Sequence, residues 1–97
     1  MVKFEWDPAK ATANLRQHHV SFVEAGSVFY DPLGITIFDP EHSHEEDRYI
    51  TIGASSAGRI LMVAHTDRKE RIRIITAREP TRREREAYEN EIQERNG

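Results

Sequence analysis

Three extended runs, Arg48 to Ala54, Arg59 to Thr66 and Arg71 to Thr76, follow one another with only four residues in each gap. A parallel return needs a crossover of about a dozen residues or more. Gaps this short therefore leave antiparallel pairing as the way to join neighbouring runs. The gap sequences, Ser55-Ser56-Ala57-Gly58 and Asp67-Arg68-Lys69-Glu70, are polar and read as hairpin loops. Ile50 and Ile52 share one side of their run, whereas Leu61-Met62-Val63-Ala64 reads as buried on both faces. Upstream, Ile35-Thr36-Ile37-Phe38 is another strand, stopped by Asp39-Pro40. A four-strand antiparallel meander is the expectation.

Ahead of the meander the period is helical. Val2 to Trp6 reads as a first strand, and Asp7-Pro8 as an N-cap followed by proline at the first helical position. Ala9 to His18 then forms a short helix with Ala11 and Leu15 on one face. Ser21-Phe22-Val23-Glu24 is a capping box, flanked by Val20 and Ala25 as a staple. Phe22, Ala25, Val28 and Phe29 give a second amphipathic helix, ended by Asp31-Pro32-Leu33-Gly34. After the strands, Pro80 leads into a second capping box, Thr81-Arg82-Arg83-Glu84. Its helix offers only Tyr88 and Ile92 as a narrow apolar stripe. The predicted fold class is α+β, an antiparallel β-sheet with two N-terminal helices and a C-terminal helix packed on one face.

At 97 residues, with no repeat or linker, the chain reads as a single domain over residues 1–97. It has no cysteine, so disulfides and thiolate metal sites are excluded. Its longest apolar run, Ile60 to Ala64, is too short to span a bilayer or serve a signal peptide, which makes the cytoplasm the expected location and a membrane an unexpected partner.

The net charge of −3 argues against a polyanion partner, but its distribution argues for one. The first 47 residues carry three Lys/Arg against nine Asp/Glu. Between Arg68 and Arg85 there are eight basic residues, seven of them arginine, against three acidic ones. Local field matters more than global charge to a polyanion, and the guanidinium fork suits phosphate and carboxylate alike. The same stretch also suits the solvated face of a strand and a helix.

The groups available for chemistry are few. Glu41-His42-Ser43-His44-Glu45-Glu46-Asp47 holds two histidines and four carboxylates, yet nothing imposes a ligand geometry. It reads as a solvated loop, and neither a metal nor another cofactor is expected. His18-His19 ends the first helix, where a cation complements the dipole. His65 closes a buried-looking strand, which suits either a hydrogen-bonded core histidine or a proton-transfer group. Arg71 and Arg73 leave one sheet face, Arg78 follows the strand, and Arg82 and Arg83 open the last helix, whose N–H groups also attract phosphate. Tyr88 lies farther along. RNA supplies its own nucleophile, the 2′-OH, so arginines with one histidine and one tyrosine suffice for its cleavage. His65, Arg73, Arg78 and Tyr88 are the catalytic candidates. Lys10, Asn14, Arg71, Arg82 and Arg83 are the candidate RNA contacts. The alternative is a non-catalytic module that grips RNA or a protein with the Arg68–Arg85 face.

The order of these residues resembles a known family. Phe4-Glu5-Trp6-Asp7-Pro8 with Lys10, Asn14 and His18, then Val20-Ser21-Phe22, is similar to the start of the BrnT toxins. So are Arg48-Tyr49-Ile50-Thr51-Ile52-Gly53, Gly58-Arg59, and the most specific stretch, Arg71-Ile72-Arg73-Ile74-Ile75-Thr76-Ala77-Arg78 with Thr81-Arg82-Arg83-Glu84 and Tyr88. The resemblance implies a RelE/ParE-like fold and an RNA-cleaving toxin of a type II toxin–antitoxin pair. It also implies a BrnA-like antitoxin that carries the toxin to operator DNA, in a homodimer or a toxin–antitoxin hetero-oligomer. Two positions depart from the family pattern: His19 stands where a glycine is usual, and Thr76 where a serine is.

Overall fold

β2 (Ile35–Phe38), β3 (Tyr49–Ala54), β4 (Ile60–Arg68) and β5 (Arg71–Arg78) run antiparallel in sequence order, as the short gaps require. The computed structural model describes residues 2–96. A fifth strand, β1 (Lys3–Glu5), lies alongside β5 in parallel, with Phe4 opposite Ile72, so the sheet order is β1-β5-β4-β3-β2. The sheet is thus mixed, a correction to the purely antiparallel expectation. The reason is long-range: the first strand covers an edge of β5 that the meander leaves open.

The second hairpin is tighter than its sequence suggests. β4 and β5 extend until only Lys69 and Glu70 are left as the loop, with Lys69 at φ 52°. Neither glycine nor asparagine marks that left-handed residue, so the turn was read as four residues. The β3–β4 loop follows its signal: Gly58 sits at φ 83° and closes on Ser55.

α1 (Pro8–His18) and α2 (Phe22–Ser27), followed by a 3-10 turn at Val28–Tyr30, cover one sheet face. Val20, Phe22, Ala25 and Val28 meet Leu61, Val63, Ile74 and Ala77 there, all buried. Each large side chain in this cluster contributes about 1.5–3 kcal/mol by burial. Asp7 caps α1 by accepting from the Ala9 N–H at 3.0 Å. The inner stripe of α1 differs from the expected one. Leu15 is 51% exposed, and Asn14, three residues after Ala11, points inward instead.

His19 takes the left-handed C-cap, φ 60° and ψ 31°, that a glycine would adopt without strain. Arg59 steadies this turn, donating to the His19 carbonyl at 2.7 Å and to both Glu24 oxygens at 2.8 Å. Only half of the first capping box forms: Ser21 Oγ accepts from the Glu24 N–H, but the Glu24 carboxylate serves Arg59 and Ser55. Arg59 accordingly holds the Glu24 carboxyl below the usual carboxylate range. The second box, at the start of α3 (Arg82–Asn96), is complete.

A register shift between Ala64 and His65 leaves Ile75 as an extra residue in β5. Such a bulge re-aims side chains. Here Ile75 and Thr76 both line the sheet face away from α1 and α2.

Candidate active site

Away from α1 and α2, the sheet carries a shallow cleft of about 220 Å³. Its apolar lining comes from Ile50, Met62, Ala64 and Ile75, and its polar lining from Asp39, His42, Arg48, Thr76 and Arg78. Alternation explains the set, because Arg48, just ahead of β3, leaves the chain on the side of Ile50, and Arg78 pairs with Met62 in the ladder. The cleft is smaller than the ~300–1,000 Å³ pockets that enclose small ligands. A groove of this kind suits one segment of a polymer lying across the sheet.

Its two guanidiniums are held differently. Arg78 forms a two-pronged pair with Glu84 of α3, at 2.8 and 3.0 Å, and also donates to the Glu79 carbonyl. Glu84 closes the α3 capping box as well, accepting from the Thr81 N–H at 2.8 Å. Arg78 first, and the Thr81 N–H second, bring its carboxyl down to about 2. Arg48 is half-buried and, among the described residues, makes no ion pair. Such a guanidinium is available to an anion. His42 lies beside it, with Nδ1 2.8 Å from Asp39 Oδ2.

Of the expected catalytic residues, Arg78 alone lines this cleft. Arg73 shares the open face but pairs with Glu5 of β1 at 3.0 Å. His65 is a correction. It is 2% exposed, with Nδ1 2.9 Å from Asp67, Nε2 2.8 Å from Thr51, and its ring edge-on to Phe29. Because the carboxylate only accepts, Nδ1 carries the hydrogen and Nε2 takes one from Thr51, which accepts from Thr36 at 2.7 Å. Both ring nitrogens are spent in the core, and burial lowers the imidazole pKa against the opposing pull of Asp67. Tyr88 is a second correction: it is 6% exposed on the inner side of α3. Burial, with the Asp31 carboxylate beside it, raises its phenol. It anchors the helix.

Asn14 is a third correction, since it is only 5% exposed and spends its amide in the core. Its amide nitrogen donates to the Val20 carbonyl at 2.9 Å and the Ala77 carbonyl at 2.8 Å, and its oxygen accepts from the Ala77 N–H at 3.1 Å. Lys10 is exposed on α1, across the sheet from the cleft. Arg71, Arg82 and Arg83 are exposed, and Arg82 pairs with Glu86 at 3.3 Å. Arg48 and His42 are the groups that sequence reasoning missed. Arg48 had a legible signal, its alternation with Ile50 and Ile52. His42 had none, because a 3-10 turn at Pro40–His42 brings it back to β3.

The family model described as the ribonuclease toxin BrnT of type II toxin–antitoxin systems matches residues 6–84. The chain belongs to the BrnT family. Its match takes in both cleft arginines and the Arg78–Glu84 pair. No curated protein matches the chain at a significant level. Among solved structures, the 1.1 Å crystal structure of the Brucella abortus ribonuclease toxin BrnT is similar. It shares 19% identity at a TM-score of 0.61, over 84% of this chain and 100% of that one. That likeness bears on the fold, an α+β arrangement with a five-strand mixed sheet and three helices. The family gives the activity class, a ribonuclease toxin, and with it an RNA substrate and an antitoxin partner.

Proposed function

We propose that this BrnT-family chain is an endoribonuclease that cuts RNA on the open sheet face, without a metal, and so arrests translation and growth. The observation that carries the reading is the cleft itself. A free guanidinium, Arg48, and one held by a carboxylate, Arg78, share an apolar lining on the face that α1 and α2 leave uncovered. Two such groups can hold a phosphodiester and balance charge that builds in the transition state. Attack by the RNA's own 2′-OH needs groups that hold the phosphodiester and balance its charge, which the two arginines can supply. A BrnA-like DNA-binding antitoxin would neutralise the toxin and carry it to operator DNA in a hetero-oligomer. No helix of the described residues is long and apolar enough to cross a membrane.

The test is cleavage of an end-labelled RNA by purified protein in EDTA. The native chain should cut. Arg48→Ala should slow cutting about a hundredfold, the equivalent of about 3 kcal/mol of barrier, with an unchanged melting temperature. Arg78→Ala should also slow it, with a small loss of stability from the freed Glu84. Loss of cutting in EDTA, restored by one divalent ion, would overturn the metal-free reading. Wild-type rates from both arginine variants would move the site elsewhere.

A further inference from the structure

His42 lines the cleft, yet the reading above gives it no work. Its ring folds back on its own turn, so that Nδ1 meets Asp39 Oδ2 at 2.8 Å. A carboxylate accepts only, so Nδ1 carries the hydrogen and Nε2 keeps a free lone pair. The carboxylate side chain is 15% exposed and the imidazole 61%, a sheltered acceptor orienting an accessible base. The turn is stapled to the backbone of Arg48, just ahead of β3. Asp39 N–H donates to the Arg48 carbonyl at 2.9 Å, and Ser43 Oγ donates to the Asp39 carbonyl at 2.6 Å while accepting the Arg48 N–H at 2.8 Å. His42, Asp39 and Arg48 therefore move as one unit. The other histidines do not compete: His65 is spent in the core, His18 and His19 end α1 across the sheet, and His44 does not line the cleft.

We propose that His42 is the general base of RNA cleavage in this cleft, with Asp39 as its positioning residue and Arg48 as the phosphate contact. The proposal rests on the cleft being the ribonuclease site. His42 Nε2 takes the proton of the 2′-OH, and the 2′-oxygen forms a bond to phosphorus. The bond from phosphorus to the 5′-oxygen breaks, and that oxygen leaves with the electron pair and takes a proton from water. The imidazolium then returns its proton to solvent. The products are a 2′,3′-cyclic phosphate and a 5′-hydroxyl. Asp39 fixes the tautomer, the role a buried carboxylate plays beside a catalytic imidazole.

The charged and titratable groups around His42 are Asp39 beside its turn, His44, Glu45 and Glu46 on the following loop, Arg48 just ahead of β3 and Arg78 on β5. Glu46 is partly engaged, by Arg68 at 3.1 Å. Charges this close are screened by salt, so the pH series belongs at fixed ionic strength.

The experiment uses the full chain in EDTA with an end-labelled oligoribonucleotide, across pH 5 to 8. Wild-type kcat should rise with pH across this series as the general base loses its proton. His42→Ala should lose about a hundredfold or more in kcat and lose that rise. Its melting temperature and its affinity for a non-cleavable 2′-O-methyl oligonucleotide should hold. Asp39→Asn should lower kcat by less and displace the pH profile, and His44→Ala should cut at the native rate. A 5′-phosphate product, or a native rate and profile from His42→Ala, would overturn the base assignment. If Arg48→Ala is slowed while His42→Ala is not, the cleft stands and only the base is wrong. If both cut normally, the cleft reading itself fails.

Discussion

Asn14 shows how a polar residue on a helix can belong to the core. It sits three residues after Ala11, on the face that packs against β5, and its amide satisfies three backbone groups of Val20 and Ala77. Asn14→Ala leaves those groups buried without partners, at about 1–3 kcal/mol for each unsatisfied one before relaxation. We expect a net loss of about 3 kcal/mol in urea unfolding, with an unchanged cleavage rate per folded molecule. An undiminished unfolding midpoint would show the strut to be idle. His65 gives a pH signature of the same core. Burial depresses its folded pKa below the ordinary imidazole value of about 6.5. The unfolded chain therefore binds the proton more readily, so stability is full above that value and falls as the pH drops below it. Melting temperature should decline from pH 7 to pH 5, and His65→Gln should flatten that limb while lowering the whole curve. The continuous apolar run Leu61 to Ala64 ahead of His65 made it legible as buried. Its Thr51 and Asp67 partners, the latter only two residues away, were not read from the pattern.

Elements differ in how much of their structure is local. α1 starts where Asp7-Pro8 says it should, because capping needs only neighbours in sequence. α3 also starts at its capping box, but what holds it to the sheet is a side chain from another element, Arg78 of β5. Glu84, with a pKa near 2 in the folded chain against an ordinary 4.5, stabilises this docking above about pH 4.5, and the contribution is lost as pH falls toward 2. Both partners are about a third or more exposed, so solvent screening keeps the contribution small. Glu84→Gln should cost about 1 kcal/mol or less at pH 7, and the difference from wild type should shrink on acidification to pH 2. Amide hydrogen exchange along α3, compared at the two pH values, checks both parts. Equal protection at both would place the helix anchor elsewhere, at Tyr88 alone.

For the whole molecule, an uneven charge distribution becomes a two-sided sheet. α1 and α2 take one face for the core, and Arg48, just ahead of β3, and the arginines of β5 are left on the other. Arg71 and Arg83 make no ion pair among the described residues, and both are exposed. If single-stranded RNA lies along this face, Arg71→Ala and Arg83→Ala should each reduce the slope of log affinity against log salt by about 0.7. Arg16→Ala, exposed on α1 across the sheet, should leave the slope alone. A salt titration of a non-cleavable oligonucleotide reads all three, and equal slopes throughout would take the RNA off this face.

The sequence by itself determined the elements whose causes are local. Four-residue gaps dictated the meander, and Asp7-Pro8 and Thr81 to Glu84 set the helix starts. The order of residues along the chain also carried the family. Tertiary structure alone decided which distant groups meet. It paired β1 with β5, turned Asn14 and His65 inward, and brought the Pro40–His42 turn to Arg48 and Arg78. The division is physical. Capping and short turns depend on bonds between residues a few positions apart, whereas a cleft depends on which sheet face is covered and where a bulge re-aims a strand.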